Sequence, residues 1–363
     1  MLVASMLRSA QLLVFAALLA LGLLATIVSL DVLVTLALDR DRGVWALAAL
    51  GHSILPLDAA ILLEKQAEIT ERWSQALDAR PATTPDPIPE VDGRTLLFAA
   101  PGTTPPTVDL TRPLLITNAV NMSWDLDWLR RSPQGDVVAD YFTDARVPAR
   151  EGGAIPSAKA PLKDVVAQLR AGRPIKLGTE MLIRNYPELL LELPLAALNA
   201  AFGNHFQPSR VGTTLTCPIF LSRGVPASAS SANNTRTDLH CEPIANLAVQ
   251  LVGEKDWTLV NPVHMKYMKP AVAQDGRAYI YADVHPDDPR LSRVPRFQAR
   301  MKRGDILYVP TWWWHRVDYI SGVTSLTASL FHFRPAQLIQ HNHLFTAVLS
   351  PNLIKELVGW KTQ

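Results

Sequence analysis

Between Cys217 and Phe333 the chain is written as short apolar or alternating runs broken by turn residues. The runs are Leu247 to Val252, Trp257 to Val260, Phe297 to Met301, Asp305 to Val309, Arg316 to Ile320 and Thr324 to Phe333. The breaks fall at Gly253-Glu254, Arg303-Gly304-Asp305 and Ser321-Gly322. Strand-length runs with this punctuation predict an all-β sandwich or barrel. Upstream, Pro113 to Thr117 reads as a short apolar strand. Asp125 to Leu129, Leu162 to Ala171 and Tyr186 to Ala201 read as helices decorating that core, with Pro194 placed to kink or break the last.

Within the β region one hexapeptide carries chemistry: Thr237-Asp238-Leu239-His240-Cys241-Glu242. On an extended strand, side chains two apart share a face, so His240 and Glu242 can reach one point in space. A second imidazole, His315 in Pro310-Thr311-Trp312-Trp313-Trp314-His315, would complete a two-histidine, one-carboxylate set. Such a set holds non-haem Fe(II) by one face and leaves positions open. Lys255 follows the Gly253-Glu254 turn, and a hairpin there would return it beside the metal face, where its ammonium could pair with a carboxylate of a bound co-substrate.

Composition narrows the partners. With 35 Lys+Arg against 33 Asp+Glu there is no basic field to argue for nucleic acid. Cys217 and Cys241 are too few for a disulfide framework or a zinc ribbon. The N-terminus is apolar: Leu12 to Leu30 carries no charge, and after Asp31 the run continues to Leu38. That length suits a helix crossing a bilayer core of roughly 30 Å, and it exceeds the apolar region of a cleaved signal peptide. The expectation is therefore a single-pass membrane protein anchored through residues 12–38, with a weaker second apolar stretch from Val44 to Leu63 interrupted by His52, Pro56 and Asp58. Prolines and threonines from Arg80 onward read as an extended linker. The expected organisation is an N-terminal anchor and helical segment over 1–79, a linker over 80–112, a β domain over 113–350 and a helical tail over 351–363.

The motifs taken together resemble the jumonji-type, cupin-like Fe(II)- and 2-oxoglutarate-dependent oxygenases, close to their asparaginyl-hydroxylase branch. The family's histidine, any residue, then Asp or Glu is matched by His240-Cys241-Glu242, and its later Gly-Asp, apolar strand and Pro-x-x-Trp-Trp-His by Gly304-Asp305 through His315. Thr237, Asn246 and Gly253-Glu254-Lys255 fall at further positions of the pattern, and the likeness covers about residues 110–350. Trp312 departs from it, standing where a small residue is frequent, and Ser329 falls near a position that carries Asn in that branch. The resemblance implies a double-stranded β-helix (jelly-roll) core with flanking helices. It also implies Fe(II) on His240, Glu242 and His315, and 2-oxoglutarate held through Lys255, Thr237 and Asn246. The implied activity is hydroxylation of a protein or small-molecule substrate. A catalytically silent accessory subunit of a membrane complex is the alternative, and a cupin that binds metal without 2-oxoglutarate is a third.

Overall fold

The computed structural model describes residues 39–54, 60–98, 108–143, 157–202, 210–211, 214–215, 217–225, 235–272, 278–285, 288–334, 336–338 and 342–357. By contacts the chain divides into two units, residues 1–69 with 342–351, and 70–341 with 352–363. In the first unit Trp45, wholly buried, meets Phe345 with ring centroids 5.9 Å apart.

The second unit is mainly β. Strands β1 (Asp86–Pro87), β2 (Glu90–Asp92) and β3 (Leu114–Thr117) are followed by β4 (Val138–Phe142), β5 (Ser157–Pro161) and β6 (Lys176–Thr179). Next, β7 (Arg210–Val211) pairs only with β8 (Thr214–Leu215), and β9 (Ile219–Arg223) leads to the strands of the motif. These are β10 (Arg236–Cys241), β11 (Ala245–Val252), β12 (Lys255–Val260), β13 (Pro270–Val272), β14 (Ile280–Ala282), β15 (Phe297–Met301), β16 (Ile306–Val309), β17 (Trp314–Tyr319) and β18 (Thr324–His332). One sheet has the order β1-β15-β12-β17-β10-β14-β13 and the other β2-β3-β16-β11-β18-β9-β6-β4-β5. From β10 to β12 and again from β15 to β18 the chain alternates between the two sheets, the winding by which a double-sheet roll closes.

Alternation along each strand sorts the side chains. On β11, Leu247, Val249 and Leu251 point into a core shared with the helices, while Ala248 joins the core between the sheets. That inner core includes Trp257, Leu259, Val317 and Tyr319 from the first sheet and Leu115, Leu307 and Val309 from the second. Behind the second sheet, helix Leu162–Arg170 buries Leu162, Val165, Val166 and Leu169, which the 3.6-residue turn places on one face. Each such side chain contributes roughly 1.5–3 kcal/mol on burial. The outer side of the first sheet is charged instead: Arg300 grips Asp256 through two bonds of 2.8 and 2.9 Å, and Arg316 meets Asp318 at 2.7 Å.

Two expectations are corrected. The proline-rich stretch read as a linker is pinned over its described part. β1 runs parallel to β15, β2 runs parallel to β3, and the short helix Gly93–Leu97, capped by Asp92, buries Leu96 and Leu97. Both strands lie at sheet edges, where Pro87 costs no ladder bond. The expectation of a single-pass membrane protein is overturned: among the described residues no helix is long and apolar enough to cross a membrane. Helix Arg40–Ile54 has 15 residues, about 22 Å of rise, and helix Ala60–Asp78 carries Glu64, Lys65, Glu68, Glu71 and Arg72. The apolar run at 12–38 lies outside the described residues. The helix expected over Tyr186 to Ala201 is divided at Leu193-Pro194 into a 3₁₀ turn, Pro187–Glu192, and a helix, Leu195–Ala201. Proline cannot donate the bond that would join them.

Candidate metal centre

Strand pairing assembles the three candidate ligands. β10 and β17 are antiparallel neighbours with His240 directly opposite His315, and their ring centroids lie 4.2 Å apart. Glu242 stands just beyond the end of β10, its Oε1 4.0 Å from His240 Nε2. One ligand atom from each of His240, Glu242 and His315 can be chosen so that all lie within 4.8 Å of one another. A set gathered this closely could hold one metal ion.

The backbone decides which nitrogen of each ring is offered. His240 Nδ1 lies 2.8 Å from the carbonyl of Asp238, and His315 Nδ1 lies 3.0 Å from that of Trp313. A carbonyl oxygen only accepts, so each Nδ1 carries the hydrogen and each Nε2 the lone pair. Burial pushes the His315 pKa down to about 4, which keeps the ring neutral. Between the ligands, Cys241 is wholly buried and its thiol is pushed well up by the loss of water, so it stays protonated.

The tryptophan motif acts through its backbone. Trp313 N–H donates to the Pro310 carbonyl, closing a turn in which Trp312 has φ 66. That conformation costs an L residue about 1–2 kcal/mol and is usually left to glycine. It aims the Trp312 N–H at the Glu242 carbonyl, 3.0 Å away. The indole, fully buried, donates to the Leu338 carbonyl at 2.9 Å. Trp312 thus ties the backbone of Glu242, the candidate carboxylate ligand, to the turn before His315. Gly304-Asp305 is likewise structural: Asp305 accepts from the N–H groups of Lys302 and Asn118, and Gly304 has φ 91.

A second polar group gathers further along the same interior face. The β11–β12 turn needs Gly253, at φ 69, because a Cβ there would stand 2.2 Å from the Thr324 carbonyl oxygen. The hairpin returns the chain with Lys255 opposite Tyr319 and Leu259 opposite His315, which puts Lys255 about 13 Å along the sheet from the metal ligands. Lys255 is 2% exposed, and its Nζ sits 4.7 Å from the centre of the Tyr319 ring. No carboxylate pairs with it among the described residues. Burial first, then the nearby Lys176 ammonium, holds its pKa well below the usual lysine value. Thr237 is hydrogen-bonded with Tyr319, and its hydroxyl also accepts from Lys176 Nζ at 2.8 Å. Asn246, on β11, is 5% exposed, and its amide oxygen has no hydrogen-bond partner among the described residues. The floor behind is a closed network in which Thr327 donates to Gln250 and Gln250 to Ser325, at 2.9 and 2.7 Å.

The six candidate site residues are placed as follows: His240, Glu242 and His315 together, Lys255 and Thr237 as a second cluster, and Asn246 on the facing sheet. Lys176 was missed. Nothing in Pro174-Ile175-Lys176-Leu177-Gly178 separates it from a solvated strand lysine until β6 is seen to pair with β9, with Leu177 in the outer core and Lys176 on the other face.

Comparison with known proteins agrees with this geometry. A family model described as a cupin-like domain matches residues 108–336, more than half of the chain. HSPB1-associated protein 1 of Rattus norvegicus is 29% identical over 85 residues, 22% of this chain and 18% of that protein. Its Homo sapiens counterpart is 26% identical over 110 residues, 29% of this chain and 22% of that protein. The matched part is about a fifth of the length of these relatives.

Proposed function

This chain belongs to the cupin-like domain family, of the jumonji type, and from that membership we propose that it is an Fe(II)- and 2-oxoglutarate-dependent oxygenase hydroxylating a protein or small-molecule substrate. The observation that carries the reading is one interior face holding both a His240, Glu242, His315 cluster and, further along, a buried lysine without an acid. The donor set fits the metal, since both Nδ1 atoms are tied to carbonyls and the third ligand is a carboxylate, the combination typical of non-haem iron.

Lys255 would bind the distal carboxylate of the co-substrate. A buried ammonium lacking a counter-charge is costly, and an acidic ligand removes that cost. Thr237 adds a hydroxyl at the same end, and Asn246 presents an amide from the facing sheet. When bound, Fe(II) with 2-oxoglutarate would supply the oxidising chemistry by activating dioxygen, one oxygen atom entering succinate as carbon dioxide leaves and the other entering a C–H bond of the substrate. The roll walls exclude water: Trp257, Val317 and Tyr319 are each under 8% exposed.

The test is Fe(II)-dependent conversion of 2-oxoglutarate to succinate by the full chain. Wild type should produce succinate only with iron, and His315→Ala should produce none while keeping its circular-dichroism spectrum. Iron-independent turnover, or an unaffected His315→Ala, would refute the assignment.

A further inference from the structure

We propose that Lys176 is a second positioning residue for the co-substrate, gripping the distal carboxylate together with Lys255 and making the pocket selective for a dicarboxylic 2-oxo acid. The inference rests on the oxygenase reading and adds to it a residue from the opposite sheet.

Lys176 lies on β6, paired with Ser222 of β9, and Leu177 beside it faces the outer core, so Lys176 takes the inner side. From there its Nζ crosses to β10, donating to Thr237 Oγ1 at 2.8 Å and to the Arg236 carbonyl at 3.3 Å. Thr237 is bonded in turn with Tyr319, and the Tyr319 ring carries Lys255 Nζ on its face. The two lysine nitrogens thus share one Thr237–Tyr319 pair, Lys176 close enough to add to burial in disfavouring the charge of Lys255.

The acids of the same strands are committed elsewhere. Asp238 is bonded to Arg236 at 2.8 Å and Asp318 to Arg316 at 2.7 Å. Two lysine side chains drawn together inside a roll, one of them 2% exposed and lacking an acid, define a site that an anion would complete by favouring their charged forms. A carboxylate has two oxygens, one for each ammonium, and the Thr237 hydroxyl lies within the same group. A 2-oxo acid of equal length without the distal carboxylate would offer Lys255 no acid and Lys176 no charged acceptor beyond its existing bonds, which is the kind of mismatch a polar pocket rejects strongly.

The experiment measures binding to the Mn(II)-loaded full chain by titration calorimetry, with 2-oxoglutarate and with 2-oxovalerate, which lacks the distal carboxylate. Lys176→Met should raise Kd for 2-oxoglutarate roughly 10–100-fold, the loss of one charge-assisted bond, and leave Kd for 2-oxovalerate and for Mn(II) unchanged. Lys176→Arg keeps the charge and should retain most of the preference, which guards against a Met variant that folds poorly. Equal affinity of Lys176→Met and wild type for 2-oxoglutarate would overturn the inference alone. So would an equal loss for both acids, since that is the signature of a structural role. A wild-type protein that binds neither acid would overturn the oxygenase reading as well.

Discussion

Replacing Lys255 by methionine should make the ligand-free protein more stable while destroying its affinity for 2-oxoglutarate. The side chain is 2% exposed and has no acid beside it among the described residues, so in the folded state the nitrogen is either a buried cation or an amine that has given up its proton. Both are costly, and a buried donor without a partner alone costs about 1–3 kcal/mol. Methionine keeps an unbranched chain against the Tyr319 ring and removes that cost. The expected gain is about 2 kcal/mol, or about 4–8 °C in Tm for a unit of this size. The folded pKa of Lys255 is depressed, so the unfolded chain binds the extra proton between that value and the unfolded value of 10.5. Wild-type stability therefore rises with pH across this window, and the advantage of the variant should shrink as pH approaches 10.5. Saturating 2-oxoglutarate should reverse the order near neutral pH, because ligand at 100 times Kd stabilises only the protein that binds it, by about 2.7 kcal/mol. Thermal unfolding of the Mn(II)-loaded proteins, with and without 2-oxoglutarate, reads all three effects. A ligand-free variant less stable than wild type, or one stabilised by 2-oxoglutarate as much as wild type, would refute the reasoning.

Gly253→Ala should destabilise the roll by more than about 2 kcal/mol, since it forces φ 69 on an L residue and sets a Cβ 2.2 Å from the Thr324 carbonyl oxygen. Urea unfolding measures it, and a loss under about 0.5 kcal/mol would mean that the turn relaxes freely. His332 is 2% exposed, and burial lowers its folded pKa to about 3 from an unfolded 6.5. Its stabilisation is complete above pH 6.5 and is lost as pH falls toward 3, with a slope of up to about 1.4 kcal/mol per pH unit. His332→Gln should flatten the acid limb of a stability-versus-pH curve by that slope, and an unchanged limb would count against the burial assigned to His332.

Much of the β framework was legible because strand length, alternation and turn chemistry agree. Phe297 to Met301 is a strand as read, Thr324 to Phe333 ends one residue early, and Arg316 to Ile320 begins two residues early, at Trp314. The two-residue spacing of His240 and Glu242 was readable because a strand has only two faces. The partnership with His315 followed only from the motif likeness, since nothing local states that β10 and β17 are neighbours. What the sequence hid depends on tertiary pairing. Lys176 gains meaning only across the roll, Trp312 through a backbone angle unusual for its type, and β1 and β2 by docking on edges that proline-rich text does not announce. The membrane expectation rested on the length and apolarity of residues 12–38, which lie outside the described residues. In the second apolar stretch, from Val44 to Leu63, hydropathy registers a preference for leaving water that a protein interior also satisfies, as Trp45 and Ala46 do at 0% exposure.

The central claim is that His240, Glu242 and His315 hold an iron that takes a 2-oxo acid. Anaerobic addition of Fe(II) and then 2-oxoglutarate to the full chain tests it directly, because chelation of the 2-oxo acid to Fe(II) produces a visible charge-transfer absorption. Wild type should develop that absorption in stoichiometric amount, and His240→Ala and His315→Ala should not. An absence of the absorption in wild type, or its full persistence in His315→Ala, would contradict the account.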